Sequence, residues 1–312
     1  MDYFEKEPNL FSKYVWVVNT IHRAGRISFD GINEKWRNNV AMSGGDKIPS
    51  RTFGHWLKGI KEVFGISIRN EHCGDFRYFI ENEEEINDHG IKSWLLDTFS
   101  TSQLLASCLD IKDCILLEEV PSGQEFLQPI LLAIREKRII RVTYQGFHKE
   151  AKSVFDMQPR CVKLHRQRWY MLAKVMAYPK QSPRVFALDR IKAVELTDDT
   201  FTLPGSWNAT SFFANSFGVI VDQDIHVECV KLRVRADQAY YFSTLPLHST
   251  QQKDTKLSND DYTVFVYHLR PTFDFMQEVL KNGDSVEVLE PAWLRREVAE
   301  RINQMAQIYK ND

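Results

Sequence analysis

The segment Arg160-Cys161-Val162-Lys163-Leu164-His165-Arg166-Gln167-Arg168-Trp169-Tyr170-Met171-Leu172-Ala173, with Arg184-Val185-Phe186-Ala187-Leu188-Asp189-Arg190-Ile191 after it, decides how this chain folds. Just upstream, Phe126, Ile130, Leu131, Ile134 and Arg138 follow a helical period, and from Ile139 the period shortens to that of strands. Ile140–Tyr144, Arg160–Leu164, Arg168–Val175 and Arg184–Leu188 are the predicted strands, packed closely enough in sequence to make a small β-barrel or a strongly bent sheet. Alternation along Arg168–Leu172 puts Arg168 and Tyr170 on one face and Trp169 and Met171 on the other.

Charge singles out the same segment. Residues 130–195 hold 15 basic and 5 acidic residues, a net of +10, although the whole chain sums to only -2. Residues 81–120, with 2 basic and 10 acidic residues, carry -8, and residues 196–312, with 11 and 17, carry -6. So large a local excess implies an anionic partner for the middle segment or an acidic surface elsewhere in the protein.

Towards the N-terminus, Phe11, Tyr14, Val15, Val18 and Ile21 define a first amphipathic helix that Gly25 stops. Ser28 is placed to cap a second, with Phe29, Ile32 and Trp36 inward. Pro49-Ser50 opens a third, in which Phe53, Trp56, Leu57, Ile60, Val63 and Phe64 share one face. Gly54 and Gly59 each weaken that helix by about 1 kcal/mol relative to Ala, unless they permit close packing. Two short strand-like runs, Ile66–Arg69 and Phe76–Ile80, follow across a polar turn. Three helices and a hairpin in about 80 residues is the plan of a winged helix-turn-helix. The third helix would then enter the major groove with Ser50, Arg51, Thr52, His55, Lys58 and Lys61, while Arg69 and Arg77 at the hairpin would touch the DNA backbone.

The acidic stretch predicts two connecting helices, Ile91–Phe99 and Leu104–Leu109, with a charge that avoids DNA and suits pairing across a dimer. Beyond residue 200, Val230–Arg235, Thr263–Leu269 and Ser285–Leu289 read as strands. They alternate with helices at Ala239–Leu245, Thr272–Leu280 and from Pro291, the last with Leu294, Val298, Ile302, Met305 and Ile308 at core spacing. That order predicts a two-layer domain. The five cysteines, scattered and never in a CxxC pair, are expected as buried, reduced thiols.

The run Gln158–Ala173 resembles the WYL domain, with Trp169-Tyr170-Met171 where the family name has Leu third. Phe186-Ala187-Leu188-Asp189-Arg190-Ile191 matches its second signature at the expected distance. Leu269-Arg270-Pro271, Thr272–Phe275 and Asn282–Pro291 resemble the WCX extension that follows such domains. With the N-terminal helices, the chain is similar to bacterial WYL-domain transcriptional regulators, which are usually homodimers.

This resemblance implies an α+β multidomain protein: an N-terminal winged helix over 1–82, a helical linker over 83–125, a central Sm-like β-barrel (WYL) over 126–200, and over 201–312 a linker and C-terminal two-layer α/β WCX domain. It implies a pocket for an anionic nucleotide or single-stranded nucleic-acid effector. Arg168, Arg184 and Arg190 would offer guanidinium forks, Lys163 and His165 further donors, and Tyr144 and Tyr170 stacking surfaces. Trp169 is expected in the core and Asp189 as the ion-pair partner of Arg190.

No HExxH, GxxxxGK[ST], GxSxG or GxGxxG is present and the nine His show no metal spacing, so no catalytic residues, metal or cofactor are expected. An acidic N-terminus without an apolar core and the lack of an 18-residue apolar run predict a cytoplasmic protein without a membrane partner. The expected function is a ligand-responsive DNA-binding repressor, a homodimer on an inverted repeat in a double-stranded DNA operator, and family analogy points to bacterial defence or DNA-damage genes. The alternative is a nucleic-acid or protein adaptor in which the WYL domain modulates an effector.

Overall fold

The computed structural model describes residues 10–71, 74–87, 90–107, 109–116, 123–147, 151–222 and 224–310. The chain divides into two compact units, Met1–Leu117 and Glu118–Asp312.

The first unit runs α1 (Leu10–Ala24), α2 (Phe29–Asn38), the single turn α3 (Val40–Ser43), α4 (Ser50–Phe64), the hairpin β1 (Ile68–Asn70) and β2 (Tyr78–Ile80), the turn α5 (Glu84–Asn87) and α6 (Ile91–Ser107). Ser28 caps α2, its hydroxyl accepting from the Gly31 N–H at 3.1 Å. Gly65 closes α4 in the left-handed region at φ 64, donating to the Lys61 carbonyl. The apolar stripes meet around Trp36, whose ring lies edge-on to Trp16 at 4.9 Å and to Trp56 at 5.4 Å. Phe53, Trp56, Ile60 and Phe64 of α4 are all buried there, each worth about 1.5–3 kcal/mol against exposure. Val63, counted on that stripe, is exposed. Ile27 pairs with Tyr78 in both directions, at 3.1 and 2.7 Å, and so ties the chain before α2 to the hairpin.

Where two connecting helices were expected, α6 continues unbroken through Leu104 and Leu105, since no Gly or Pro stops it, and a 3-10 turn at Leu109–Cys114 follows. Leu96 is buried in the core of the first unit, and the Phe99 ring meets Phe11 at 4.3 Å. Cys114 and Cys229 are exposed and Cys161 is half-buried, against the expectation of buried thiols. Cys229 takes an outward position because Val230 beside it faces the core. Cys73 and Cys108 lie outside the described residues.

The second unit holds two sheets. The first is built from α7 (Leu127–Glu136), β3 (Arg138–Tyr144), β4 (Ser153–His165), β5 (Arg168–Val175), β6 (Arg184–Ala187), a 3-10 turn Leu188–Arg190 and β7 (Ile191–Thr200). All its pairings are antiparallel, in the order β6-β5-β4-β3-β7. Among the described residues no hydrogen bonds join β6 to β7, so the strands form a ladder with two edges. Register shifts at Pro159/Cys161 and along β3 bend it. Ile130 and Ala133 of α7 pack on Ile140, Val142, Met157, Met171 and Phe186.

After the one-turn α8 (Ala209–Phe213) come β8 (Glu228–Arg235), α9 (Ala236–Thr244), β9 (Gln252–Asp254), β10 (Tyr262–Leu269), α10 (Phe273–Lys281), β11 (Val286–Glu290) and α11 (Ala292–Ile308). The four strands order as β11-β8-β10-β9, with α9, α10 and α11 packed on them through Phe242, Phe275, Val279, Leu294 and Val298. The short edge strand β9 was not legible in the periodicity. Pro291 takes the N-cap of α11 rather than its first helical position. Only Leu294 and Val298 of the α11 stripe are buried. Ile302, Met305 and Ile308 are exposed, as is every residue of the helix from Ala299 onward.

Candidate functional site

In the first unit, α4 turns Ser50, Arg51, His55, Lys58 and Lys61 outward and leaves Thr52 half-buried. Arg51, His55, Lys58 and Lys61 make no ion pair among the described residues. Gly54 lies on the same side with nothing within 4 Å of the place its Cβ would take, so another molecule's backbone has room to approach there. At the hairpin, Arg69 is paired with Glu81 at 2.7 Å and Arg77 with Asp75 at 2.6 Å. Two rim cations are thereby partly neutralised.

In the second unit the seven predicted ligand residues separate into three places. Tyr144, Arg168 and Arg190 come together around Asp189. The Arg190 guanidinium lies 3.9 Å from the Phe147 ring centroid, and the Arg190 carbonyl accepts from the Gln145 N–H at 3.0 Å. Burial pushes the Tyr144 phenol up, opposed chiefly by the neighbouring Arg190 cation. Asp189, whose side chain is 7% exposed, pairs with Arg168 at 3.7 Å rather than with Arg190. Aspartate Oδ1 and Arg190 Nε are both buried without a hydrogen-bond partner. A buried guanidinium N–H with no acceptor is a poised donor, because leaving it unpaired costs about 1–3 kcal/mol. Gly123 makes the approach possible: its φ is 64, and a Cβ there would strike the Leu188-Asp189 backbone. Two guanidinium groups, a phenol and the exposed Phe147 ring can bind a phosphate and stack on a base; the cluster contains no nucleophile and base in contact.

Lys163, His165 and Tyr170 form a second group, which Arg168 joins to the first. Lys163 opposes Tyr170, and His165 opposes Arg168, so these side chains share one face of the β4–β5 ladder. Lys163 donates to the Gly218 carbonyl at 2.6 Å and stands 4.3 Å from the Phe213 ring centroid; burial lowers its ammonium. Arg184 belongs to neither group. It opposes Ala173 and so shares the Met171 and Phe186 face, at the far end of β5, where it covers the Tyr178 ring at 5.5 Å.

Two participants, Phe147 and Arg160, carry no signal in the sequence, and Asp189 has a different partner from the expected one. Phe147 and Asp189 line the first cluster, and Arg160 stacks on Trp207 at 4.9 Å with its Nε buried and unpartnered. Arg160 sits at the β4 bulge, which no periodicity announces. Among the described residues no group of His, Cys, Asp and Glu could hold a metal, and no helix is long and apolar enough to cross a membrane.

Comparison with protein-family models matches residues 125–196 to the WYL domain and residues 226–306 to the WCX domain. No curated protein matches the chain. Among solved structures, proteasome accessory factor B/C (PafBC) of Arthrobacter aurescens is similar at 17% identity and a TM-score of 0.39, covering 94% of this chain and 46% of that one. A CRISPR Cas-related protein is similar at 9% identity and a TM-score of 0.40, covering 97% and 85%. The chain spans about half the length of PafBC.

Proposed function

We propose that this chain, which carries a WYL domain and a WCX domain, is an effector-responsive transcriptional regulator that binds double-stranded DNA as a homodimer and acts by repression, without a catalytic step of its own. The observation that carries this reading is the α4 face. An exposed row of basic side chains, without ion pairs among the described residues, in a unit of helices followed by a hairpin, suits a winged helix whose α4 lies in the major groove. The Arg168, Arg190 and Tyr144 cluster supports an anionic nucleotide or single-stranded nucleic-acid effector in the WYL domain.

Regulation follows by linkage. An effector that binds the DNA-competent and incompetent forms unequally shifts operator affinity by that difference in binding free energy. The test is an anisotropy titration of the full chain on DNA from upstream of its own gene, with excess nonspecific competitor, beside Arg51→Ala/His55→Ala. Specific binding that the variant loses is the expected result; equal binding by both proteins overturns the assignment of α4. One observation favours the adaptor reading: Arg69 and Arg77 are already ion-paired, which weakens the hairpin as a DNA contact. An adaptor would bind with little dependence on salt, whereas a DNA binder loses affinity steeply.

A further inference from the structure

A cavity of about 510 Å³ lies where the turn between β4 and β5 meets the WCX domain. His165 and Arg166 line it from the WYL side, and Ser216, Phe217, Leu247 and Lys281 from the other. We propose that it binds a small organic phosphate the size of a nucleoside monophosphate, the phosphate facing His165, Arg166 and Lys281 and the ring lying on Phe217 and Leu247. This rests on the reading of an effector-responsive regulator and adds to the Asp189 cluster a second, separate anion seat.

The polar lining holds two cations and one carboxylate. Glu278, a buried carboxylate, is taken by Arg166 and by Lys281 at 3.5 Å. A guanidinium has five N–H donors and an ammonium three, so both cations keep donors to spare, and the trio carries one net positive charge. Ser216 is 4% exposed and its hydroxyl has no hydrogen-bond partner. His165 is half-buried and free of partners among the described residues; burial, Lys163 and Arg166 hold its imidazole down, against Asp274 and Glu278. An arriving dianion would meet His165, Arg166 and Lys281 together. Volume sets the size, since about 300–1,000 Å³ is the range of small-molecule pockets and a folded oligonucleotide would not enter.

The two-residue hairpin between β4 and β5 fixes where Arg166 stands at the rim. Arg166 and Gln167 both take left-handed conformations, at φ 48 and 65, which costs non-glycine residues about 1–3 kcal/mol each. The opposite wall is tied to the WYL domain through Lys163, which donates to the Gly218 carbonyl, and to α10 through Asp274, which accepts from the Val219 and Ile220 N–H groups at 3.0 Å each. At Gly218, φ is 70 and a Cβ would overlap Asp274. A ligand here touches both domains at once, as an effector that couples them must.

The experiment is calorimetric titration of the full chain, without DNA, using adenosine monophosphate, inorganic phosphate and adenosine, so that a failure of DNA binding would leave it unaffected. Adenosine monophosphate should bind about tenfold or more tighter than adenosine, with inorganic phosphate weaker but measurable. Lys281→Gln, at an exposed position that leaves the core intact, and His165→Gln should each weaken it about tenfold, and Arg184→Ala should not. The His165 ring resonances should titrate at higher pH when the site is saturated. Loss of binding in Arg190→Ala with Lys281→Gln unaffected, equal affinity for adenosine and its monophosphate, an unmoved His165 titration, or no binding at all would each overturn the proposal.

Discussion

Gly59 of α4 lies directly beneath Tyr14 of α1, so close that a Cβ would overlap the Tyr14 hydroxyl and ring. The two glycines of α4 therefore differ in kind, since Gly54 faces open space. Gly54→Ala should stabilise the protein by up to about 1 kcal/mol through helix propensity. Gly59→Ala should destabilise it by about 1–3 kcal/mol, overpacking outweighing the same propensity gain. Denaturant melts of the two variants check this, and matching shifts would refute it.

Arg168 is the partner of a buried carboxylate, so its removal has a structural cost. Arg168→Ala should destabilise the protein by about 2–3 kcal/mol, at the low end for such pairs because Arg168 is itself 35% exposed. Adding Asp189→Asn should recover much of the loss, since the uncompensated charge is then gone. Thermal unfolding of the double-mutant cycle reads the coupling, and strictly additive losses would count against the pair.

Burial lowers both His165 and His248 from the ordinary 6.5. The unfolded chain then takes up protons before the folded one as pH falls, so stability is fully present above about 6.5 and is lost as pH drops through the lowered folded values. Chemical denaturation between about pH 5 and 7 should show stability rising with pH. His248→Gln should flatten that rise; an unchanged slope would mean that His248 contributes nothing to it.

Lys58 and Lys61 are expected to meet phosphates rather than bases. Each Lys→Ala substitution should weaken binding to operator and random DNA alike and reduce the salt slope by about 1. Arg51→Ala should instead reduce discrimination between them. Anisotropy titrations at several salt concentrations separate these outcomes, and a salt slope unaltered by both lysine variants would exclude phosphate contacts there.

The turn between β4 and β5 offers a stability test. Gln167→Gly should relieve the left-handed strain of about 1–2 kcal/mol, less the extra backbone entropy of glycine, for a net gain of up to about 1 kcal/mol. A thermal melt decides it: a loss of stability would show that the Gln167 side chain contributes more than its strained backbone costs.

Apolar spacing by itself determined most of the elements, because period 3.6 and period 2 are local properties of a chain burying one face. It placed the Ser28 cap, the inward faces of α1, α2 and α4, and the strands around Trp169-Tyr170-Met171. Charge counting set the basic segment apart from its acidic neighbours. Only the tertiary structure decided which of those basic residues meet. The β5–β6 register put Arg184 of β6 on the face of Met171 and Phe186, away from Arg168 and Tyr170. Long-range packing gave Asp189 to Arg168, set Gly59 under Tyr14 and left Ile302, Met305 and Ile308 outside the core. Pairing, register and close approach depend on residues far apart in the chain, and no local period encodes them.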